Sequence, residues 1–335
     1  MNVEESLDRL AVETGFSGVV RIDRGDEVEL AEAYGLAQRG FGVPNTTGTR
    51  FAIASGTKGL TALTVMSLVE DRILEPGTLA RSLLGDDLPL IDDAATVEQL
   101  LALRSGIGDY LDEDAGLDVT AHLTRVPVHE LATTEQYVRV LDGYPMKFAP
   151  GERFSYCNSG YVVLALIAER ATGTPFHDLV RERVCEKAGM RATAFLRSDE
   201  LPGDAATGYI DTDGLRTNVL HLPVRGSGDG GTYSTAADIT ALWRAMFEGR
   251  IVPHTRIADM TRPHSTKGSK AYGLGFWLEP ARGAVVLEGS DAGVSFRSVH
   301  LPQQPFTYTV MSNTTEGAWP IARRLADLLT PGSRG

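Results

Sequence analysis

The sequence predicts an α+β fold in which one antiparallel sheet is flanked by helices and a helical lobe is inserted into the chain. Two observations favour this class. Segments with the alternation typical of strands lie near both ends, at 17–35 and 272–313, whereas the signals between them are mostly helical. Because strands and helices do not alternate along the chain, a doubly wound parallel sheet is not expected.

The first elements are a helix and a hairpin. Residues 1–16 are acidic and amphipathic, as in a surface helix. SGVVRID (17–23) and EVELAEAYG (27–35) alternate as strands and are joined by a short turn. Residues 56–69 are small or apolar on nearly every side, which indicates a buried helix.

Helix signals dominate the middle of the chain. A capping box at 96–99 begins a short helix, and the helix predicted over 161–171 ends at Gly173. A glycine-rich loop at 226–232 precedes another N-terminal signal, which begins a helix at 235–247. That loop lacks the Lys-Ser/Thr ending of a phosphate-binding loop, so it is expected to border the cleft instead.

The C-terminal third changes to the period of strands. Four consecutive strands are predicted at 272–279, 284–289, 294–301 and 306–313, followed by an amphipathic helix at 319–329. We therefore expect residues 1–75 and 205–335 to form the lobe with the antiparallel sheet. Residues 76–204 would form the inserted, mainly helical lobe, with the active site between the two.

Composition and charge exclude several classes of function. The formal net charge is −12, and such a surface repels nucleic-acid phosphates and anionic lipids. The most apolar stretch, 51–69, is too polar to span a membrane, and no signal-peptide pattern begins the sequence. A cytoplasmic location is expected unless a leader has been removed. Two cysteines, Cys157 and Cys185, cannot form a disulfide framework and are expected to be free thiols.

Ser55 and Lys58 form the first chemical motif, S-x-x-K, at the start of the predicted buried helix. Positions i and i+3 of a helix are neighbours, so the hydroxyl and the amine share one face. Burial disfavours the charged form of an amine, and a neutral lysine can take the proton of a serine hydroxyl. The alternative is an N-capping serine followed by an ordinary surface lysine.

Tyr156 and Asn158 form the second motif, Y-x-N, between a Pro-Gly turn and a helix. A tyrosine beside a cationic lysine can lose its proton and act as a general base. The Asn158 amide can hold a substrate carbonyl and fix Lys58. The alternative is a core tyrosine followed by an N-capping asparagine.

Together these segments resemble a known family. FAIASGTKGLTAL, LLALRSGIGDY, PGERFSYCNSGYVVLALIAE and GDGGTYSTAADI stand in the order and spacing of the class C β-lactamase-like serine hydrolases. That family includes β-lactamases, D-alanyl-D-alanine carboxypeptidases, D-amino-acid amidases, esterases and acyltransferases. The resemblance extends from about Ser17 to Leu328.

The resemblance implies a reaction through an acyl-enzyme. Ser55 would attack a carbonyl, and the oxyanion would be held by its own N–H and by one from the last sheet strands, near Val294 or Ser295. Lys58 and Tyr156 would move the proton to the leaving group and then activate water or another acceptor. No metal or organic cofactor is implied.

The third motif of the family, usually H-x-G or K-T-G, is altered. The corresponding stretch is LEGSDAG (287–293), so Glu288 or Ser290 takes the position of the cation or histidine. Glu288, with Asp291 close by, would repel a substrate carboxylate, by a few kcal/mol at about 4 Å. Neutral substrates or substrates bearing an amine are therefore favoured. The alternative is that Glu288 is an ordinary exposed strand residue.

The leading hypothesis is a serine hydrolase that acts on a small-molecule ester or amide. An acyltransferase with a separate acyl acceptor differs only in the deacylation step. A β-lactamase or a D-amino-acid carboxypeptidase or amidase is a further alternative, although the altered third motif disfavours the β-lactamase and the carboxypeptidase. A catalytically silent binding module is the alternative from another class. Neither a nucleic-acid nor a membrane partner is expected, and the sequence makes no prediction of oligomeric state.

Overall fold

The protein is represented by a computed structural model that describes residues 3–116 and 118–328. The helices are α1 (Val3–Thr14), α2 (Thr57–Glu70), α3 (Ala80–Leu84), α4 (Val97–Leu101), α5 (Val138–Leu141), α6 (Asn158–Thr172), α7 (Phe176–Val180), α8 (Glu186–Ala188), α9 (Ala236–Phe247), α10 (His254–Met260) and α11 (Ala318–Leu328). The strands are β1 (Gly18–Arg24), β2 (Glu27–Tyr34), β3 (Leu36–Gln38), β4 (Val43–Pro44), β5 (Phe51–Ala52), β6 (Tyr233–Ser234), β7 (Ser265–Lys267), β8 (Lys270–Tyr272), β9 (Trp277–Glu279), β10 (Ala284–Asp291), β11 (Val294–Leu301) and β12 (Phe306–Ser312).

An eight-stranded sheet forms the centre, in the order β2-β1-β12-β11-β10-β9-β8-β7. Every neighbouring pair is antiparallel. Strand β1 pairs with β12 over its whole length, with Gly18 opposite Ser312 and Arg24 opposite Phe306. The two ends of the chain therefore build one sheet, and the predicted α+β class is confirmed.

The two faces of the sheet are covered by different helices. On one face α1 and α11 contact each other, and their apolar residues pack on alternate side chains of β1 and β12, including Val20 and Val310. On the other face the sheet packs on the large core that holds α2, α6 and α9, through residues such as Leu287 and Phe296. This second face carries the candidate site.

Helix α2 has no exposed face before its last residue. Thr57 to Val69 are all buried, and Glu70 is the first exposed position. This explains why the apolar and small residues show no amphipathic period, and it confirms the predicted buried helix. The capping box at Thr96 and Gln99 is also present, as predicted.

Two boundaries differ from the predicted ones. The strand expected at 272–279 is divided into β8 and β9, because the chain turns at Gly273–Phe276. A Cβ on Gly273 would lie 2.1 Å from the Met260 carbonyl oxygen, and Gly275 has φ +91°, so neither position suits an extended strand with side chains. Helix α6 begins at Asn158, three residues before the predicted start at 161. Residue 329, the predicted end of the last helix, lies outside the described residues.

The named strands and most of the helices lie in different parts of the chain. In the part of the chain that the structure describes, the named strands lie within 18–52 and 233–312, and the elements at 54–188 are helical. One apolar cluster joins residues of both parts, for example Leu101 and Leu287. The lobe boundaries at residues 75 and 205 stay a prediction. None of the described helices is long and apolar enough to cross a membrane.

Candidate active site

Ser55 lies in a tight turn that leads into α2. The turn, Ala54–Gly56, is a 3₁₀ helix, and Ala54 has φ +42°, a left-handed conformation that is strained for a residue with a Cβ. A Cβ on Gly289 of β10 would lie 2.6 Å from the Ser55 amide nitrogen. A Cβ on Gly56 would lie 2.5 Å from the Phe296 ring. The serine is therefore fixed against β10 and β11 by close contacts that require glycine at positions 56 and 289.

Lys58 lies one turn further along α2, with 1% of its surface exposed. Its Nζ donates to Ser55 Oγ at 2.8 Å, to Asn158 Oδ1 at 2.7 Å and to the Asp229 carbonyl oxygen at 3.0 Å. Two of these three partners, the Asn158 and Asp229 oxygens, can only accept. The neutral amine has two N–H donors and one lone pair, so it can keep both of these bonds while it accepts the Ser55 proton.

Asn158 is oriented by bonds at both ends of its side chain. Its Nδ2 donates to the Leu111 carbonyl oxygen at 2.9 Å, which turns Oδ1 towards Lys58. Its backbone N–H, at the start of α6, donates to Asp109 Oδ2 at 2.8 Å. Ser159 donates to the other Asp109 oxygen from its N–H at 2.9 Å and from its hydroxyl at 3.0 Å. Burial raises the pKa of Asp109 to about 6 despite these donors.

Tyr156 adjoins both Ser55 and Lys58. Its hydroxyl is hydrogen-bonded to Ser55, and Lys58 Nζ lies 4.8 Å from the centre of its ring. The ring is parallel to that of Trp277, with 6.1 Å between ring centres. Burial raises the pKa of Tyr156 well above its ordinary value, and the charge of Glu113 acts in the same direction. The resting side chain is therefore a neutral phenol, which differs from the predicted phenolate.

A cavity of about 550 Å³ opens beside Ser55, and we call it the Ser55 cavity. Apolar side chains form one part of its wall and a set of ion-paired charges forms another. The described residues that line it are Ser55, Leu111, Glu113, Val119, Tyr156, Lys270, Trp277, Glu288, Gly289, Ser290, Arg297 and Trp319.

Glu288 faces this cavity but is not a bare negative charge. It forms ion pairs with Lys270, at 2.9 Å, and with Arg297. Arg297 also pairs with Glu279 at 2.5 Å. The predicted repulsion of a substrate carboxylate assumed an uncompensated negative charge on Glu288. That assumption is corrected, because two cations surround the Glu288 carboxylate and offset the repulsion.

The other predicted binding residues separate into two groups. Ser290 is exposed and lines the Ser55 cavity, whereas Asp291 and Val294 line a second cavity on the other side of the Ser55 turn. Ser295 is fully buried, and its hydroxyl donates to the Thr314 carbonyl oxygen and accepts from the N–H of Ala318. In the part of the chain that the structure describes, Gly289 and Ser290 line the Ser55 cavity and Val294 and Ser295 do not, so β10 offers the better candidate for the second oxyanion donor.

Several residues of the site were not singled out in the sequence. Trp277, Lys270 and Arg297 come from three different strands, and only the sheet brings them to Ser55. Asp109 and Asp229 lie inside two of the recognised segments, LLALRSGIGDY and GDGGTYSTAADI. Lys270 carried a weak signal, because the chain has only five lysines.

The two cysteines, and Arg104 of the segment LLALRSGIGDY, lie in environments that indicate structural roles. Burial raises the pKa of the Cys157 thiol well above its ordinary value and that of Cys185 to about 12, so both stay protonated near neutral pH. Arg104 donates to the backbone oxygens of His264 and Gly151 and so joins two segments. Across residues 3–116 and 118–328, no group of three or more His, Cys, Asp or Glu side chains is placed to hold a metal ion.

Comparisons with known proteins agree with the fold. The model of the Beta-lactamase family matches residues 3–330. A penicillin binding protein from Bacillus halodurans, of known structure, is 32% identical and superposes with a TM-score of 0.90, over 96% of this chain and 99% of that one.

Two curated relatives have named enzymatic activities. A D-aminopeptidase of Brucella anthropi is 28% identical over 94% of this chain and 59% of its own length. The esterase EstB of Burkholderia gladioli is 32% identical over 58% of this chain and 50% of its own length. The chain thus spans about half of each of these two relatives.

Proposed function

The chain belongs to the beta-lactamase family, and we propose that it is a serine hydrolase that cleaves a small ester or amide through an acyl-enzyme on Ser55. Serine hydrolases with esterase and D-aminopeptidase activity are among its relatives. One observation carries the proposal: Lys58 Nζ lies 2.8 Å from Ser55 Oγ, and its two other partners are oxygens that only accept.

The first step is attack on the substrate carbonyl. The Ser55 O–H proton passes to Lys58 as Oγ forms a bond to the carbonyl carbon. Lys58 then has three N–H donors, and the Asn158 and Asp229 oxygens keep two of them. The proton transfer therefore requires no change in the two bonds that hold the amine, so little reorganisation accompanies it.

The carbonyl oxygen becomes an oxyanion that needs donors. We assign one donor to the Ser55 N–H and the other to the backbone N–H of Ser290, next to Gly289 on β10. The close approach of Gly289 to the Ser55 nitrogen supports this assignment. Loss of one such donor typically costs two to three orders of magnitude in kcat, or about 3 kcal/mol.

Collapse of the tetrahedral intermediate breaks the bond to the leaving group. The leaving alkoxide or amine takes a proton from Tyr156, which is a neutral phenol hydrogen-bonded to Ser55 and is itself reprotonated by Lys58. Water then enters, loses a proton to the same pair and releases the acid. An acyl acceptor in place of water would make a transferase, so this alternative stays open. The cytoplasmic location also stays a prediction.

The test is covalent labelling together with turnover. We expect a fluorophosphonate to add once to the wild-type chain, with the adduct on the peptide that contains Ser55. Hydrolysis of p-nitrophenyl acetate should be lost in Ser55→Ala. The matched control is Ser82→Ala, which removes an exposed hydroxyl that caps the Leu79 carbonyl oxygen. Labelling that persists in Ser55→Ala, or a folded wild type that is not labelled, would contradict the proposal.

A further inference from the structure

A separate cavity of about 390 Å³ lies at the β7 edge of the sheet. We call it the arginine cavity, and in the described lining it shares no residue with the Ser55 cavity. Its volume falls in the range of about 300–1,000 Å³ that is usual for small-molecule sites. The described residues that line it include Arg104, Arg153, Phe154, His264, Ser265 and Thr266.

The positive charge of this cavity has no acidic partner. Its described lining contains two arginines and no carboxylate. Arg104 donates to the backbone oxygens of His264 and Gly151, and the Arg153 guanidinium lies 4.2 Å from the centre of the Phe148 ring. Among the residues that the structure describes, neither arginine forms an ion pair, although the formal net charge of the chain is −12. Two cations without an anion therefore face one cavity.

His264 does not add a free charge to this pair. Its ring nitrogens lie 3.6 Å from a Glu98 carboxylate oxygen and 3.5 Å from an Asp259 carboxylate oxygen. The available donors are therefore those of the two guanidiniums. Each guanidinium has five N–H groups, and the two backbone bonds of Arg104 leave three of its own for a ligand. The same two bonds hold Arg104 in place, so little side-chain freedom is lost when an anion binds.

Aromatic rings connect the arginine cavity to the Ser55 cavity. The ring of Phe154, which lines the arginine cavity, lies 5.9 Å from that of Trp277, which lines the Ser55 cavity. The Trp277 ring lies in turn 6.1 Å from that of Tyr156, which is hydrogen-bonded to Ser55. Two ring contacts therefore separate the phenol from the arginine cavity, a gap that a flexible chain of several bonds can bridge.

The β7–β8 hairpin borders both cavities. Thr266 lines the arginine cavity and Lys270 lines the Ser55 cavity. Lys267 is opposite Lys270 in the strand register, and its Nζ lies 5.9 Å from the centre of the Phe154 ring. Two of the five lysines of the chain thus lie on this hairpin, where their charge attracts an anion towards the site.

We propose that the arginine cavity binds a distal anionic group, a carboxylate or a phosphate, on the leaving half of the substrate, through Arg104 and Arg153. The inference rests on the proposed acyl-enzyme route, in which Tyr156 protonates the leaving group. It names a substrate class: esters or amides whose leaving alcohol or amine carries an anion at the far end of a chain. The planar guanidinium suits both anions, because its parallel N–H groups match two oxygens of either one.

The experiment compares substrates that have one acyl group and differ in the leaving group. The acetate esters of ω-hydroxybutanoate, ω-hydroxyhexanoate, ω-hydroxyoctanoate and ω-hydroxydecanoate are measured against those of the corresponding primary amides, by release of acetate. We expect the ratio of kcat/KM, carboxylate over amide, to be lowest for the shortest ester and to reach about tenfold or more for a longer one, equivalent to about 1.4 kcal/mol. Acetate esters of ω-hydroxyalkyl phosphates form a second arm, and the larger ratio identifies the preferred anion.

The variant that tests the cavity is Arg153→Gln, because Arg153 is exposed and Arg104 also joins two segments. It should reduce the ratio to within about threefold of one at every length. The matched control is Arg125→Gln, which removes another exposed arginine over an aromatic ring, that of Tyr144, and a residue outside the described lining of both cavities. A ratio near one at every length in both arms, or an equal effect of the two variants, would overturn the inference.

A binding measurement separates this inference from the proposed catalysis. Calorimetric titration of Ser55→Ala with ω-hydroxyoctanoate and with its primary amide needs no turnover. We expect the carboxylate to bind about tenfold more tightly, and this preference to be lost when Arg153→Gln is added. Equal affinity for both ligands, or binding of neither, would overturn the inference. Absence of a Ser55 adduct would instead overturn the catalytic proposal, whatever these ligands do.

Discussion

Lys58 Nζ donates to Asn158 Oδ1 at 2.7 Å, a bond between residues 100 positions apart that joins α2 to the start of α6. The Asn158 amide cannot turn freely, because its Nδ2 donates to the Leu111 carbonyl oxygen. The position of the lysine therefore depends on two segments of the helical part of the chain. This relationship leads to the first two predictions.

Replacement of Asn158 tests whether this residue positions Lys58. In Asn158→Leu the amine loses an acceptor and the Leu111 oxygen loses its donor, so we expect kcat for p-nitrophenyl acetate to fall by about 100-fold. In Asn158→Asp a carboxylate would face Lys58 and favour its protonated form, so activity should fall at neutral pH. Steady-state kinetics check both. Variants with wild-type kcat would show that Asn158 does not position the lysine.

Asp109 is predicted to act through Asn158. Asp109→Asn replaces one acceptor oxygen by an amide that faces N–H donors, which should cost about 1–3 kcal/mol of unfolding free energy. We expect kcat to fall more than KM rises, because the substrate does not contact Asp109. Denaturant unfolding and steady-state kinetics measure the two effects. The control is Asp118→Asn, because the exposed Asp118 carboxylate accepts from the nearby N–H of Thr120. An equal loss of stability and kcat in this control would contradict the prediction.

Gly289 is predicted to tolerate no side chain. In Gly289→Ala the new Cβ would overlap the Ser55 nitrogen and the Ile53 oxygen, both of them backbone atoms. We expect about 1–3 kcal/mol of destabilisation, and a larger loss of kcat than of stability, since the turn that carries the nucleophile must move. Gly77→Ala is the control, because nothing lies within 4 Å of its added Cβ. The prediction is checked by measuring Tm and kcat for both variants, or by crystal structures of the two.

The ion pairs of Glu288 are predicted to set the preference for substrate charge. Lys270→Met makes the Ser55 cavity more negative, so turnover of a p-nitrophenyl hemisuccinate should fall about 3–10-fold relative to the neutral butyrate. Glu288→Gln should change the same ratio in the opposite direction. The control is Lys187→Met, because Lys187 is not among the described residues that line this cavity. A ratio that neither variant alters would exclude this role.

Asp291 is predicted to make stability depend on pH. Its pKa of about 7 in the folded chain exceeds the ordinary value of 3.8, so the folded state binds the proton more tightly. The stability contributed by this carboxyl is present below about pH 4 and is lost as pH rises through about 7. The Tm of Asp291→Asn minus that of the wild type should therefore increase between pH 5 and pH 8. A constant difference, as expected for the control Asp26→Asn, would contradict the prediction.

The sequence alone was enough for the fold class and for the local part of the site. Ser55 and Lys58 are three positions apart on one buried helix, so helical geometry places them together without knowledge of the rest of the chain. Strand alternation near both ends was enough to predict an antiparallel sheet, because that period depends only on neighbouring residues.

Tertiary structure decided the contacts between distant segments. Whether Glu288 is bare or paired depends on Lys270 and Arg297, which lie on other strands and reach it only through strand register. The pKa of Tyr156 depends on burial, which no local pattern gives, and the structure makes it a neutral phenol. The second cavity, lined in part by Ala54, Gly230 and Asp291, likewise exists only because the Ser55 turn, the glycine-rich loop and the end of β10 meet. Sequence order does not specify which loops meet across a folded core.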